Sequence, residues 1–201
     1  MAKNIKIKST ETLSDNFFQL KKIGYEVESK DGTCEEITRE VYMSKNAATV
    51  LLYNLENESV ILTKQFRLPT YLNKNKSGMM IEACAGIVED DENPEDTIMR
   101  EIEEETGFKL NNVKKVFELY STPGSVAEML FYFVAEYTPK QRVGEGGGLD
   151  EESEDIEVIE LRFEDAYLKL QTGEIKDAKT AILLQYAKLN LFQQEKVFEL
   201  L

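Results

Sequence analysis

The sequence predicts an α/β fold: an α/β/α sandwich around a mixed sheet, with a small antiparallel β unit ahead of it. Three observations carry this. Short runs rich in apolar and β-branched residues recur at 48–54, 59–66, 79–85, 113–120, 128–137 and 155–161, each of strand length. A well-capped helix pattern interrupts them at 94–106, and two more close the chain at 164–172 and 177–190; strands mixed with helices in this order favour helices layered on a sheet. The first stretch instead shows two strand-like runs, 18–28 and 34–43, around the turn signal Lys30-Asp31-Gly32, the mark of a hairpin. Residues 1–45 are therefore expected to form the antiparallel unit, and residues 46–201 the main domain.

The helix at 94–106 is the best specified element. Asn93 is a natural N-cap, and Pro94 fits the first helical position, where its missing N–H costs nothing. Asp96 is acidic in the first turn, where the helix dipole favours it. Gly107 is a natural stop. At about 100° per residue, Ile98, Met99 and Ile102 share one arc, and Glu101, Glu104 and Glu105 hold the adjacent one. Arg100 falls outside the carboxylate arc. Of the closing helices, the first ends at Gly173, and the second carries Ile182, Leu183, Tyr186 and Leu189 at helical spacing. Between two strands lies GEGGGLDEESE, residues 144–154. Its glycines are expected to let it swing, and a loop of that kind inside a domain is more often functional than a plain linker.

Composition narrows the function. A chain of 201 residues, 42% hydrophobic, is one good-sized domain or a domain with a small appendage. The net charge of −14 argues against nucleic-acid and anionic-membrane partners. It also makes a phosphate-bearing substrate unwelcome unless cations screen it. There is no histidine, which excludes Ser-His-Asp and Cys-His catalysis and His-ligated zinc. Any general base is expected to be a carboxylate or a lysine. Two cysteines, Cys34 and Cys84, form no pattern, and no apolar run has membrane-spanning length; a reducing cytoplasm is the expected location.

Residues 86–108 concentrate the chemistry: Gly86, Glu92, Arg100-Glu101-Ile102, Glu104-Glu105, then Gly107-Phe108. Taken alone, the run EIEEE is an ordinary solvated helix face. Yet Glu101 and Glu105 are like charges at i,i+4, which destabilises a helix slightly. A hard divalent cation with oxygen ligands offsets that repulsion. The full register resembles the Nudix box, Gly-x5-Glu-x7-Arg-Glu-apolar-x-Glu-Glu-x-Gly-apolar, at every fixed position. That box belongs to Mg²⁺-dependent hydrolases of nucleoside diphosphates linked to another group.

The resemblance extends to one branch, the ADP-sugar and GDP-sugar pyrophosphatases. It is carried by LSDNFF (13–18), TREVY (38–42), ATVLLYN (48–54), QFR (65–67), MMIEACAG (79–86), STPGSVAE (121–128) with Pro123, IEV (156–158) and TGEIKDAKT (172–180). It implies roles residue by residue. Glu101 and Glu105 would ligate Mg²⁺, with the backbone carbonyl of Ala85 and with Glu154 on the acidic loop; Glu152 is the alternative to Glu154. Glu101, Glu104 and Glu154 would be the catalytic carboxylates. Phe17, Thr38, Arg39, Glu40, Arg67, Gly86, Glu128 and Lys179 would bind substrate. Without that resemblance, Arg67 and Arg39 read equally well as surface ion pairs, Phe17 as core and Lys179 as a solvated helix-start lysine. Arg100 is implied to brace Glu92. The implied cofactor is roughly two or three Mg²⁺ ions, Mn²⁺ being able to substitute. The implied substrate is a nucleotide sugar, GDP-mannose ahead of ADP-ribose. The implied assembly is a homodimer built through the N-terminal β unit. A Nudix-fold ligand sensor without catalysis is the alternative, but such proteins usually lose box glutamates, and here all are present.

Overall fold

A computed structural model of the chain describes residues 4–149 and 154–193. They fall into two compact units, residues 4–46 with 120–129, and residues 47–119 with the described residues from 130 onward.

The first unit is a four-stranded sheet in the order β1-β2-β3-β9. β1 (Ile5–Asp15), β2 (Gln19–Glu28) and β3 (Cys34–Met43) form an antiparallel meander. The turn between β2 and β3 sits where the sequence puts it. Gly32 has a φ of 86°, and the Asp31 carboxylate accepts from the Thr33 N–H and hydroxyl. β9, a short piece (Val126–Ala127), runs parallel to the end of β3. β1 was not foreseen as a strand in its own right. Its residues IKIKSTETLSD are exposed almost throughout, so no buried face imposes the alternation by which strands are read.

The second unit holds the mixed sheet. Its strands are β4 (Ala47–Asn54), β5 (Ser59–Phe66), β6 (Met79–Glu82), β7 (Cys84–Ile87), β8 (Lys114–Tyr120), β10 (Met129–Glu136) and β11 (Glu157–Arg162). The order is β11-β5-β4-β10-β8, with β6 also paired to β5 and β7 to β4. β4 and β10 are parallel, and the β11–β5, β4–β5, β4–β7 and β5–β6 pairings are antiparallel. Side chains alternate along the central strand, as a sheet covered on both faces requires. Ala48, Val50 and Leu52 enter one core, with Ile98, Ile102, Phe108 and Tyr137. Leu51 enters the other, with Phe163, Ala166, Ile175, Leu183, Leu184 and Ala187. The first core is roofed by helix α2 (Pro94–Glu101), the second by α3 (Phe163–Gln171) and α4 (Ala178–Asn190). This is the α/β/α sandwich with a mixed sheet. Burying Ile98 and Ile102 completely contributes about 1.5–3 kcal/mol each.

Three details depart from the sequence reading. A short helix α1 (Leu68–Leu72) follows β5. The expected strand 79–85 is broken into β6 and β7 at Ala83, whose N–H leaves the ladder and donates to Thr180 Oγ1 at 2.7 Å. The helix expected over 94–106 is α-helical to Glu101 and then widens into a π turn over Ile102–Thr106. Thr106 hydroxyl donates to the Ile102 carbonyl at 2.5 Å, a local side-chain bond that competes with the regular ladder. Wide turns of this kind are frequent at functional sites. Among the described residues, no helix is long and apolar enough to cross a membrane.

Candidate active site

The site grows from the meeting of β7 with the end of α2. Asn93 caps the helix, its side chain accepting from Glu95 N–H at 3.1 Å, and Gly107 ends it with a φ of 75°. Ile98 and Ile102 fix the helix against the sheet, so the neighbouring arc faces β7. Gly86 makes the approach possible. A Cβ built there would lie 2.1 Å from the Glu101 carboxylate, so only a glycine leaves that carboxylate its place. Glu105 is 1% exposed, and its Oε2 accepts from Ala85 N–H at 3.3 Å. In a strand the N–H and C=O of one residue point to the same side, so the Ala85 carbonyl faces the same way as that N–H.

Burial dominates the electrostatics. It pushes the Glu105 carboxyl up to about 8; hydrogen bonds from Cys84 and Ala85 oppose it, while Glu101 and Glu154 add to it. Burial pushes Glu101 up to about 7, opposed by Arg100 and reinforced by Glu104 and Glu154. The Cys84 thiol, fully buried beside Glu105, is pushed well above its ordinary value, chiefly by burial. Arg100 does more than brace the loop. Its terminal nitrogen lies 2.9 Å from Glu101 and 2.7 Å from Glu104, whereas its Nε is 3.8 Å from Glu92. At about 100° per residue Arg100 falls outside the carboxylate arc, but its long side chain reaches Glu104 one turn on.

The acidic loop is not a free hinge at its glycine end. Gly147 N–H donates to the Glu105 carbonyl at 2.9 Å, and Gly148 N–H to the Glu104 carbonyl at 3.1 Å. These are end-of-helix carbonyls that need partners. Gly146 has a φ of 71°, and a Cβ on it would sit 2.5 Å from the Glu105 carbonyl oxygen. Close packing, rather than freedom to swing, is what these glycines supply. Glu154 returns to the same place, its carboxylate accepting from Leu149 N–H at 3.2 Å and raising the pKa of both Glu101 and Glu105. Glu152 lies outside the described residues.

These residues fit a divalent cation by their chemistry. The donors are all oxygens: the carboxylates of Glu101, Glu104, Glu105 and Glu154 and the carbonyl of Ala85, a hard-ion set. The space that a Cβ at Gly86 would fill is taken by the Glu101 carboxylate, one of these donors. Among the described residues, no three acidic side chains stand as a ready-made metal cluster; Glu101 and Glu104 face the Arg100 guanidinium instead.

A second cluster in the same unit joins Arg67 and Lys179 through a residue the sequence reading passed over. Glu82 accepts from Arg67 Nε at 2.8 Å and from Lys179 Nζ at 2.9 Å. Lys179 also meets Asp177 at 3.0 Å. Lys179 is therefore not a solvated helix-start lysine. The signal for Glu82 was present: it is the one charge in the strand run MMIEACAG, and charged residues are almost never buried unpaired.

The remaining residues expected to bind substrate lie in the first unit. Thr38, Arg39 and Glu40 are exposed on β3, with Arg39 donating to the Thr38 carbonyl. Phe17 is 82% exposed and stacks edge-on to Phe18, so it is not core of its unit. Glu128 accepts from Ser121 and Ser44 hydroxyls.

This fold, with the box helix set against β7, defines a Nudix protein, and the chain belongs to that family: the family model described as NUDIX domain matches residues 43–183. Residues 4–42 match a second one, described as GDP-mannose pyrophosphatase NudK N-terminal domain. Among curated proteins, the GDP-mannose pyrophosphatase of Cronobacter sakazakii is 48% identical over 94% of this chain and 97% of its own length. That of Shigella flexneri is 47% identical over 94% and 98%. Among solved structures, one titled as an ADP compounds hydrolase covers 94% of this chain and 95% of its own, with a TM-score of 0.71 at 17% identity. At that identity the likeness speaks for the fold.

Proposed function

We propose that the protein hydrolyses the diphosphate bond of a nucleoside-diphosphate sugar, GDP-mannose in the first place, giving GMP and mannose 1-phosphate. The observation that carries the chemistry is the pair of carboxylates Glu101 and Glu105, one largely and one fully buried, held beside Gly86 and Ala85. Near-full-length similarity to proteins named GDP-mannose pyrophosphatase supports the choice of substrate.

Glu101 and Glu105, with the Ala85 carbonyl and Glu154, would hold Mg²⁺, or Mn²⁺ in its place. When bound, such ions screen the diphosphate and lower the pKa of an attacking water. The chain's own residues do the rest. Arg67 and Lys179 bind and orient the anionic phosphates. Arg100 and Glu104 balance the charge beside Glu101. Glu154, on the loop strapped to the helix end, takes the proton of the attacking water as a new P–O bond forms and the bridging P–O bond breaks. The sequence resemblance assigns Phe17, Thr38, Arg39, Glu40 and Glu128 of the N-terminal unit to contacts with base and sugar. That unit is also the dimerisation element in this reading, because a small sheet with exposed strands is marginal by itself. Free Cys34 and Cys84 suit a reducing cytoplasm.

A screen of GDP-mannose, ADP-ribose and other nucleotide sugars, with Mg²⁺ and with EDTA, tests this. Release of GMP from GDP-mannose only with the metal is the expected result. Preference for ADP-ribose would move the substrate, and no cleavage of any of them would refute the reading. Light scattering should give about twice the 23.0 kDa chain mass; a monomer at micromolar concentration would overturn the dimer.

A further inference from the structure

We propose that Glu82 is a positioning residue for diphosphate binding: it sets the Arg67 guanidinium and the Lys179 ammonium at a fixed spacing before substrate arrives. The inference rests on the reading above, in which those two cations hold the phosphates.

Glu82 is 4% exposed, and a buried carboxylate is costly unless paired. It divides its two oxygens, Oε2 to Arg67 Nε at 2.8 Å and Oε1 to Lys179 Nζ at 2.9 Å. The backbone holds this arrangement in place. Ala83, next to Glu82, donates its N–H to Thr180 Oγ1, next to Lys179. Asp177 caps α4 by accepting from Thr180 N–H and also meets Lys179. Arg67 meets Glu82 through Nε, and a guanidinium carries four further N–H donors on its terminal nitrogens. The Arg67 side chain as a whole is 41% exposed, so those donors are not sealed in the core. Lys179 has three donors and meets two carboxylates, which leaves one.

The charges of Arg67 and Lys179 are matched by those of Glu82 and Asp177. A balanced cluster attracts an anion weakly by charge alone, so its value lies in geometry. Two cations held in place lose little freedom when they bind, and such preorganisation raises affinity. A role in charge and a role in position predict opposite effects for the same change. Removing the negative charge of Glu82 would strengthen an anion site that worked by charge, and weaken one that worked by position.

The test is Glu82→Gln, read two ways: KM for GDP-mannose with Mg²⁺, and Kd for GDP-mannose by calorimetry in EDTA. Both are expected to rise together by about ten- to a hundredfold, the equivalent of one charge-assisted hydrogen bond. The kcat should stay within about threefold, because the contact is made alike in ground and transition states. Tighter or unchanged binding overturns the proposal. Should Glu82→Gln fail to fold, Glu82→Asp keeps the buried charge and withdraws it by one methylene; it is expected to weaken binding by about tenfold, and wild-type affinity there also overturns the proposal. In an Arg67→Ala, Lys179→Ala background, Glu82→Gln should add less than about twofold, whereas full additivity would mean that Glu82 does not act through them. If Arg67→Ala and Lys179→Ala leave Kd unchanged, or the wild type neither binds nor cleaves GDP-mannose, the underlying reading falls and this inference with it. If they weaken binding and Glu82→Gln does not, this inference alone falls.

Discussion

Gly86→Ala should separate folding from catalysis. The backbone of Gly86 is not left-handed, so alanine fits it without strain, but the new Cβ would lie 2.1 Å from the Glu101 carboxylate. Ordinary contact begins near ~3.5 Å, so the carboxylate must withdraw by about 1.4 Å. It is the far end of a flexible side chain, 14% exposed, and can do so at little cost. Gly→Ala at a compatible site also stabilises by about 0.4–1 kcal/mol through the unfolded chain. The net change should lie within about 1 kcal/mol, a Tm shift of roughly 2–4 °C for a chain of this size. Activity should respond quite differently. Misplacing a reacting group by about 1 Å costs on the order of a hundredfold. The assay is kcat for GMP release from GDP-mannose at saturating Mg²⁺, beside a thermal melt. Gly124→Ala is the control, because nothing lies within 4 Å of a Cβ there. A folded Gly86→Ala protein with half of wild-type turnover would refute the placement of Glu101 in the site.

Glu101→Gln and Glu105→Gln should each lower kcat by at least about a hundredfold while the protein still folds, because neutral amides are poor ligands for a hard cation; near-normal turnover in either would remove it from the ligand set. Glu154→Gln should depress kcat far more than KM, and an effect on KM alone would make Glu154 a binding residue. Stability should also depend on pH. Glu105 rises from 4.5 to about 8 on folding, so the folded protein binds more protons than the unfolded chain across that window, and its stability falls as pH rises through it. The Tm in EDTA should therefore fall between about pH 5 and 8, less steeply in Glu105→Gln, and added Mg²⁺ should raise it most at the alkaline end. An equally steep fall in Glu105→Gln would assign the effect to other groups.

How far the sequence carries depends on whether burial leaves a periodic trace. The box helix was legible because its cap, apolar arc and stop are local: Asn93, Ile98, Ile102 and Gly107 do in the structure what their types require. The central strands β4 and β5 were legible as apolar runs that are buried on both faces. β1 was hidden because its residues face solvent and carry no pattern. The π turn after Glu101 was hidden because its carbonyls are bonded from a distant segment, Gly147 and Gly148, which local sequence does not show. The same loop shows how composition misleads: three glycines read as freedom, whereas Gly147 and Gly148 are bonded to the Glu105 and Glu104 carbonyls.

The acidic balance of the chain poses a question that the two clusters answer in different ways. A protein with a net charge of −14 repels a diphosphate at long range, but screening confines that repulsion to about 8 Å at physiological ionic strength. Close contacts therefore decide binding. At the end of α2 the carboxylates outnumber Arg100, and burial raises the pKa of Glu101 and Glu105, so a cation bound there would favour their ionised forms. Around Glu82 the charges already balance, and the Arg67 side chain is 41% exposed. Metal-free protein should thus retain measurable affinity for GDP-mannose through Arg67 and Lys179 while losing turnover entirely. Affinity that vanished with the metal would mean that the second cluster only holds β6 to α4, and that the phosphates are gripped elsewhere.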